Sequence, residues 1–210
     1  MSRPRIDYFF TLVSPWCYLG NRVFAEMARR HEAEIVYKPF DAGAVFKVSG
    51  GLPLARRAPQ RQAYRLIELQ RWRDIRGLKL ALHPKHFPAD PSLSHRMLLA
   101  ALREGADVGP FVQAVLQAVW VEEEDIGDPG TLVRLADGSE LDGARLLELS
   151  SEPAIRAAET ASTEEAVARD VFGAPFYVLN GEPFWGQDRL EMLDRALASG
   201  RAPFRAGDPR

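Results

Sequence analysis

The stretch from Ile6 to Gly20 limits what this chain can fold into more than any other. Ile6, Tyr8, Phe10 and Leu12 fall on one side of an alternating apolar run, which is the period-two pattern of a strand. Ser14-Pro15 breaks the run. Proline has no N–H to lose and a fixed φ suited to the first helical position. Beyond it, Trp16, Leu19, Val23 and Met27 recur at three- and four-residue spacing. The pattern predicts a buried strand over 5–13, a tight turn, and a helix over 15–31. Glu-Ile-Val-Tyr-Lys at 34–38 reads as a second strand, which completes a βαβ unit.

Residues 39–59, with prolines, glycines and the basic pair Arg56-Arg57, read as a long surface loop. From about 60 to 170 the periodicity is helical. One helix is expected over 60–76, stopped by Gly77. Another spans 94–104, with Ser92 or Ser94 as N-cap and Gly105 as stop. A third, over 111–121, carries the stripe Phe111, Val115, Leu116, Val119 and Trp120. Shorter helices are expected near 130–136, 142–149 and 153–170. Strands return at 176–179 and 182–185 around Asn180-Gly181, a dipeptide that favours the tight hairpin turn. A helix over 187–198 follows, and the Arg/Pro/Gly-rich tail is expected to be poorly ordered.

The order is β-α-β, a helical block, then β-β-α. A thioredoxin fold runs β-α-β-α-β-β-α, so the fold class is α/β, thioredoxin-like, with a large all-helical insertion. The expected segments are 1–45 for its first half, 46–170 for the insertion, 171–200 for its second half and 201–210 for the tail.

Charge excludes some functions. The 210 residues carry 27 Lys plus Arg against 29 Asp plus Glu, a net charge of −2. Such a balance offers no basic surface for nucleic acid. No apolar run reaches the roughly 18 residues of a membrane span. The N-terminal apolar run is too short for a signal-peptide core and lacks a small-residue cleavage site, so a cytoplasmic location is expected. His83 and His86 alone make a weak metal site, and none is expected. A single cysteine forbids an intramolecular disulfide.

That cysteine stands at the second position of a Ser14-Pro15-Trp16-Cys17 turn, where a redox site would carry two cysteines. Two thiols at this spacing exchange disulfides. A serine only donates or accepts a hydrogen bond, so a thiol handled here must come from outside. Unpaired N–H groups and the helix dipole favour an anion at Ser14; Ser14 equally suits a helix cap. Cys17 is expected to be structural, with a mixed disulfide as the alternative. A proline at position 175, opening the second half of such a sheet, is expected to be cis and to leave the Ala174 main chain free for strand-like pairing; an ordinary strand-opening proline is the alternative. Gln187 and Asp188, at the first turn of the last helix, are suited to an amino acid's ammonium and carboxylate, or to capping.

Taken in order, Ser14-Pro15-Trp16 with Tyr18-Leu19, Leu69-Gln70-Arg71-Trp72, Val171-Phe172-Gly173-Ala174-Pro175 and Trp185-Gly186-Gln187-Asp188-Arg189-Leu190 resemble the 2-hydroxychromene-2-carboxylate isomerases and the kappa-class glutathione transferases, within the DsbA-like thioredoxin superfamily. The resemblance spans residues 6 to about 198. It implies glutathione as cofactor, a homodimer, and a small aromatic substrate. Ser14 is the implied catalytic residue, beside the thiolate. Ser14, Trp16, Lys47, Ala174, Pro175, Gln187 and Asp188 are the implied glutathione contacts: Ala174 pairs with the cysteinyl backbone, Gln187 and Asp188 meet the γ-glutamyl end, and Lys47 attracts a carboxylate or is simply solvated. An asparagine common near Gly50-Gly51 is missing here. The implied reaction is cis–trans isomerisation in aromatic catabolism: the thiolate adds reversibly to the conjugated substrate, a carbon–carbon bond rotates, and the thiolate leaves. A kappa-like transferase, a monothiol oxidoreductase working through Cys17, and a non-catalytic thiol-binding protein are the alternatives.

Overall fold

The computed structural model describes residues 3–207. Strand β1 (Arg5–Phe10) leads into helix α1 (Pro15–Arg30) and strand β2 (Glu34–Pro39). Seven helices follow: α2 (Ala42–Ser49), α3 (Pro59–Ile75), α4 (Ser92–Arg103), α5 (Gly109–Gln117), α6 (Pro129–Asp137), α7 (Gly143–Leu149) and α8 (Pro153–Ala168). A π-helical turn, Ala118–Glu122, extends α5. Strands β3 (Phe176–Leu179) and β4 (Glu182–Trp185) and helix α9 (Leu190–Ser199) close the chain, with a 3-10 turn, Gln187–Arg189, before α9.

The sheet order is β2-β1-β3-β4. β1 pairs parallel with β2 and antiparallel with β3, and β3 pairs antiparallel with β4. Alternation sorts the side chains. Ile6, Tyr8, Phe10, Tyr177 and Leu179 enter the main core beneath α1 and α9. Phe9, Phe176 and Val178 face the other way, onto Phe40, Val45 and Ala166 from the α2 and α8 side. Tyr8 stacks between Phe10 and Tyr177, with ring centroids 4.4 and 5.2 Å apart. The same main core continues into the helical block through Met97, Phe111, Leu116 and Trp120. The inserted helices therefore share the sheet's core.

The hairpin is as expected: Asn180 and Gly181 both have positive φ, 52° and 85°, as a primed turn requires. Three expectations change. The loop expected over 39–59 contains α2, whose N-cap Asp41 accepts from Gly43 N–H and whose end Gly50 lies in the left-handed region. Val45 on this helix is fully buried, so one apolar contact with the sheet's second face stabilises a helix whose flanks read as loop. The segment boundary expected between 45 and 46 falls inside it. Neither Ser92 nor Ser94 caps α4; the Asp90 carboxylate accepts from the Ser92 N–H and hydroxyl instead. The tail is anchored: Arg201 forms a two-pronged ion pair with Glu182, and Glu182 also accepts from Phe204 N–H. Residues 208–210 of the expected tail lie outside the described residues.

Candidate functional site

Three segments meet at one end of the sheet. The β1–β3 register aligns Phe9 with Phe176. Continuing it places Pro175 opposite Phe10 and Ala174 opposite Thr11, beside the turn that carries Ser14. The Ala174–Pro175 peptide bond is cis, as expected. Ala174 lies outside the sheet ladder and is partly exposed, so its N–H and C=O stand free to pair with an extended ligand. Gly186 N–H donates to Pro175 C=O at 2.9 Å, which brings the third segment alongside. The 3-10 turn then packs on α1: a Cβ on Gly20 would lie 2.7 Å from Gln187 Cβ, so only glycine allows this approach.

Ser14 is the N-cap of α1, with extended backbone and 8 % exposure. Its Oγ accepts from Cys17 N–H at 3.3 Å. The capping reading of Ser14 therefore holds: the oxygen caps the helix. Trp16 N–H, a first-turn donor with no intrahelical acceptor, points out of the same helix end. Trp16 itself packs partly buried against the main core.

Cys17 is fully buried. Burial pushes its thiol up to about 11, outweighing the lowering by the Ser14 hydroxyl and the Thr11 backbone. The helix terminus that would activate an exposed thiol thus meets one held protonated and enclosed. This geometry speaks against a redox role for Cys17.

The other expected residues divide. Asp188 is exposed at the start of the 3-10 turn and pairs with Arg189 at 3.0 Å. Gly186 before it has φ 101°, and a Cβ there would collide with the Asp188 carboxylate. Gln187 is not the exposed amide the sequence suggested. It is 2 % exposed, and its amide oxygen accepts from the Arg76 guanidinium at 2.9 and 3.3 Å. Arg76 also donates to the Gln187 carbonyl and stacks over Trp72 at 5.1 Å. This clamp ties the end of α3 to the last turn before α9. Lys47 is exposed in the final turn of α2, which leaves β2 at the same sheet end as the Ser14 turn. Gly51 packs against the Phe46 ring so closely that no side chain fits.

Sequence reasoning missed His95 as a part of the site. It is 2 % exposed on α4. Its Nε2 accepts from Leu12 N–H at 3.2 Å and lies 3.4 Å from the Thr11 hydroxyl. Accepting from an amide requires an unprotonated Nε2. Burial lowers its pKa to about 4. A neutral histidine therefore pins the turn that presents Ser14. Only a fold-level contact across 83 residues reveals it.

Two surface clefts, of about 390 and 480 Å³, lie elsewhere: one beside Arg73 and Lys79, the other between α5 and α6. Neither borders Ser14. No group of three or more His, Cys, Asp or Glu suited to a metal occurs among the described residues, and no helix among them is long and apolar enough to cross a membrane.

A mixed sheet whose first helix starts at Ser14 opposite a cis-proline defines a thioredoxin-type protein, and residues 5–198 match the family model of the DSBA-like thioredoxin domain. The chain belongs to that family. Within it, the chain is 30 % identical over 194 residues to the 2-hydroxychromene-2-carboxylate isomerase of Sphingobium xenophagum, covering 91 % of this chain and 97 % of that one. It is 30 % identical over 197 residues to the enzyme of the same name from Pseudomonas putida, covering 91 % and 93 %. A solved 2-hydroxychromene-2-carboxylate isomerase superposes with a TM-score of 0.78 at 28 % identity, over 93 % of this chain and 95 % of that one. A kappa-class glutathione S-transferase from Caenorhabditis elegans matches at 36 % identity over 69 residues only, 32 % of this chain and 30 % of that one.

Proposed function

We propose that this protein is a glutathione-dependent isomerase of the 2-hydroxychromene-2-carboxylate isomerase type, acting on a conjugated aromatic-catabolism intermediate. The observation that carries the reading is Ser14: a hydroxyl that caps α1 through Cys17 N–H, beside the cis Ala174–Pro175 bond, in a chain whose one thiol is buried. Those groups fit glutathione. Ser14 Oγ–H and Trp16 N–H are donors for a sulfur anion, and the helix dipole favours the charge. The Ala174 main chain suits the extended peptide, and exposed Asp188 suits an ammonium. Gln187 contributes by holding the turn through Arg76 rather than by direct contact. Lys47 is placed to attract a carboxylate from the adjoining helix. Glutathione supplies the nucleophilic sulfur; the chain's own residues position it, keep it ionised and hold it against the substrate.

The full-length likeness to the isomerases supports isomerisation over conjugation, since the kappa-class match spans a third of the chain. The test follows conversion of 2-hydroxychromene-2-carboxylate with and without glutathione, with mass spectrometry of the products. The expected outcome is a glutathione requirement with glutathione returned unchanged. Ser14→Ala is expected to lower kcat by about a hundredfold, the usual effect of removing one donor to a reacting anion. Asp188→Ala is expected to raise the glutathione Kd about tenfold, as loss of one charged hydrogen bond does. Conversion without glutathione, or a stable glutathione conjugate as product, would overturn this reading.

A further inference from the structure

Helix α3 ends on a closed glycine turn. Gly77 N–H donates to Asp74 C=O at 3.0 Å and Leu78 N–H to Arg73 C=O at 2.9 Å, and Gly77 takes the left-handed φ of 60° that this closure requires. Arg76, the residue before that glycine, is thereby fixed in its backbone, with its own N–H on Trp72 C=O at 3.0 Å. Its side chain is fixed as well. The guanidinium lies over the Trp72 ring, 5.1 Å from the centroid, and Trp72 packs on the main core. All of its side-chain hydrogen bonds go to one residue. Nε and Nη2 donate to Gln187 Oε1 at 3.3 and 2.9 Å, and Nη2 also donates to Gln187 C=O at 3.3 Å.

The turn that receives this grip, Gln187–Arg189, is three residues long. Such a piece has little hydrogen bonding of its own to hold its shape. Within it, Arg189 N–H donates to Gly186 C=O, and just before it Gly186 N–H donates to Pro175 C=O. Gln187 Cβ rests on α1 at Gly20, and Arg76 holds the Gln187 side chain and carbonyl from α3. Asp188 comes next and is exposed. Its only ion pair among the described residues is with its neighbour Arg189, on the same turn. That pair cannot set where Asp188 stands relative to Ala174 and Ser14. The Gln187 supports do, and Arg76 is the one that comes from the helical block. A lysine would not replace it: a single point charge does not span the amide and the main-chain carbonyl while lying flat on an indole.

We propose that Arg76 is a positioning residue for the γ-glutamyl end of glutathione, acting through Gln187 to hold Asp188 where it meets the ligand's ammonium. This rests on the glutathione-dependent reading. Because Arg76 acts through Asp188, its effect has a ceiling: removing it loses no more than Asp188 supplies, and only for a ligand that carries the ammonium.

The test is calorimetric titration with glutathione and with glutaryl-cysteinylglycine, which is glutathione without its ammonium. Wild type is expected to bind glutathione about tenfold more tightly than the analogue, as one charged hydrogen bond provides. Arg76→Gln is expected to reduce that preference to about twofold and to leave the Kd of the analogue within about twofold of wild type; Arg76→Lys is expected to restore part of the preference. Added to Asp188→Ala, Arg76→Gln is expected to cause no further loss, since the two act on one contact. Gln187→Met removes the acceptor, keeps the buried stem and is expected to give the same loss, which serves if Arg76→Gln fails to fold. A preference kept intact in Arg76→Gln, an equal loss for both ligands, or full additivity with Asp188→Ala overturns the proposal and leaves the functional reading standing. Indifference of the wild type to glutathione removes both.

Discussion

His95 offers a direct test of how the site is built. In the unfolded chain the imidazole takes up its proton near pH 6.5, whereas in the folded protein it does so only near 4, because burial opposes the charge. Asp41 and Asp90 raise that value somewhat and Arg96 lowers it, but desolvation is the largest cause. A folded pKa held below the unfolded one means that protonation favours unfolding. The contribution of neutral His95 is thus complete above about pH 6.5, declines as pH falls through the window from 6.5 to 4, and levels off below it. The gap between 6.5 and about 4 corresponds to about 3 kcal/mol. His95→Gln keeps an acceptor for Leu12 N–H and has no proton to bind. Urea unfolding of both proteins at intervals from pH 7.5 to 4 measures the difference. The expected result is a wild-type curve that falls about 3 kcal/mol more steeply than that of His95→Gln across this window. Other titrating groups cancel in the difference. Parallel curves would refute the assignment of a buried, neutral acceptor.

Other consequences are simpler to measure. Cys17 is expected to react with an aromatic disulfide reagent at pH 8 only at the rate of global unfolding, and stoichiometrically in denaturant; fast native labelling would contradict the enclosed, protonated thiol. Gly20→Ala is expected to cost about 1–3 kcal/mol in urea unfolding, because the added methyl meets Gln187 Cβ and must push the last turn off α1. Glu182→Ala removes both prongs of the Arg201 pair and the acceptor for Phe204 N–H, so limited proteolysis is expected to release the residues after Gly200 while the sheet remains intact.

Much of this fold could be read from the chain because local and tertiary demands agree. The period-two pattern in β1 and the Asn180-Gly181 turn give strands and register directly, and Ser14-Pro15 gives the start of α1. Helix α2 escaped because its flanking prolines and glycines speak locally for a loop, and only Val45 docking on the sheet decides otherwise. The tail escaped because its composition conceals a single buried acceptor, Glu182, in a strand 19 residues earlier. At the candidate site, the Ser14 helix cap and the cis Ala174–Pro175 bond were legible because they belong to short contiguous motifs. The inward turn of Gln187 toward Arg76 was not, nor was the His95 bond to the turn. Each depends on a partner more than 80 residues away, and no local pattern encodes such a pairing.

The anchoring of the tail bears on how the molecule keeps to itself. β4 is an outer strand, and an outer strand presents unsatisfied backbone groups that invite another chain to extend the sheet. Here Pro183 removes one donor from the middle of that rim, and Arg201 and Phe204 drape over its first residue. The stretch after Gly200 thus works as a selvage, finishing the exposed margin of the sheet so that it does not unravel into aggregation.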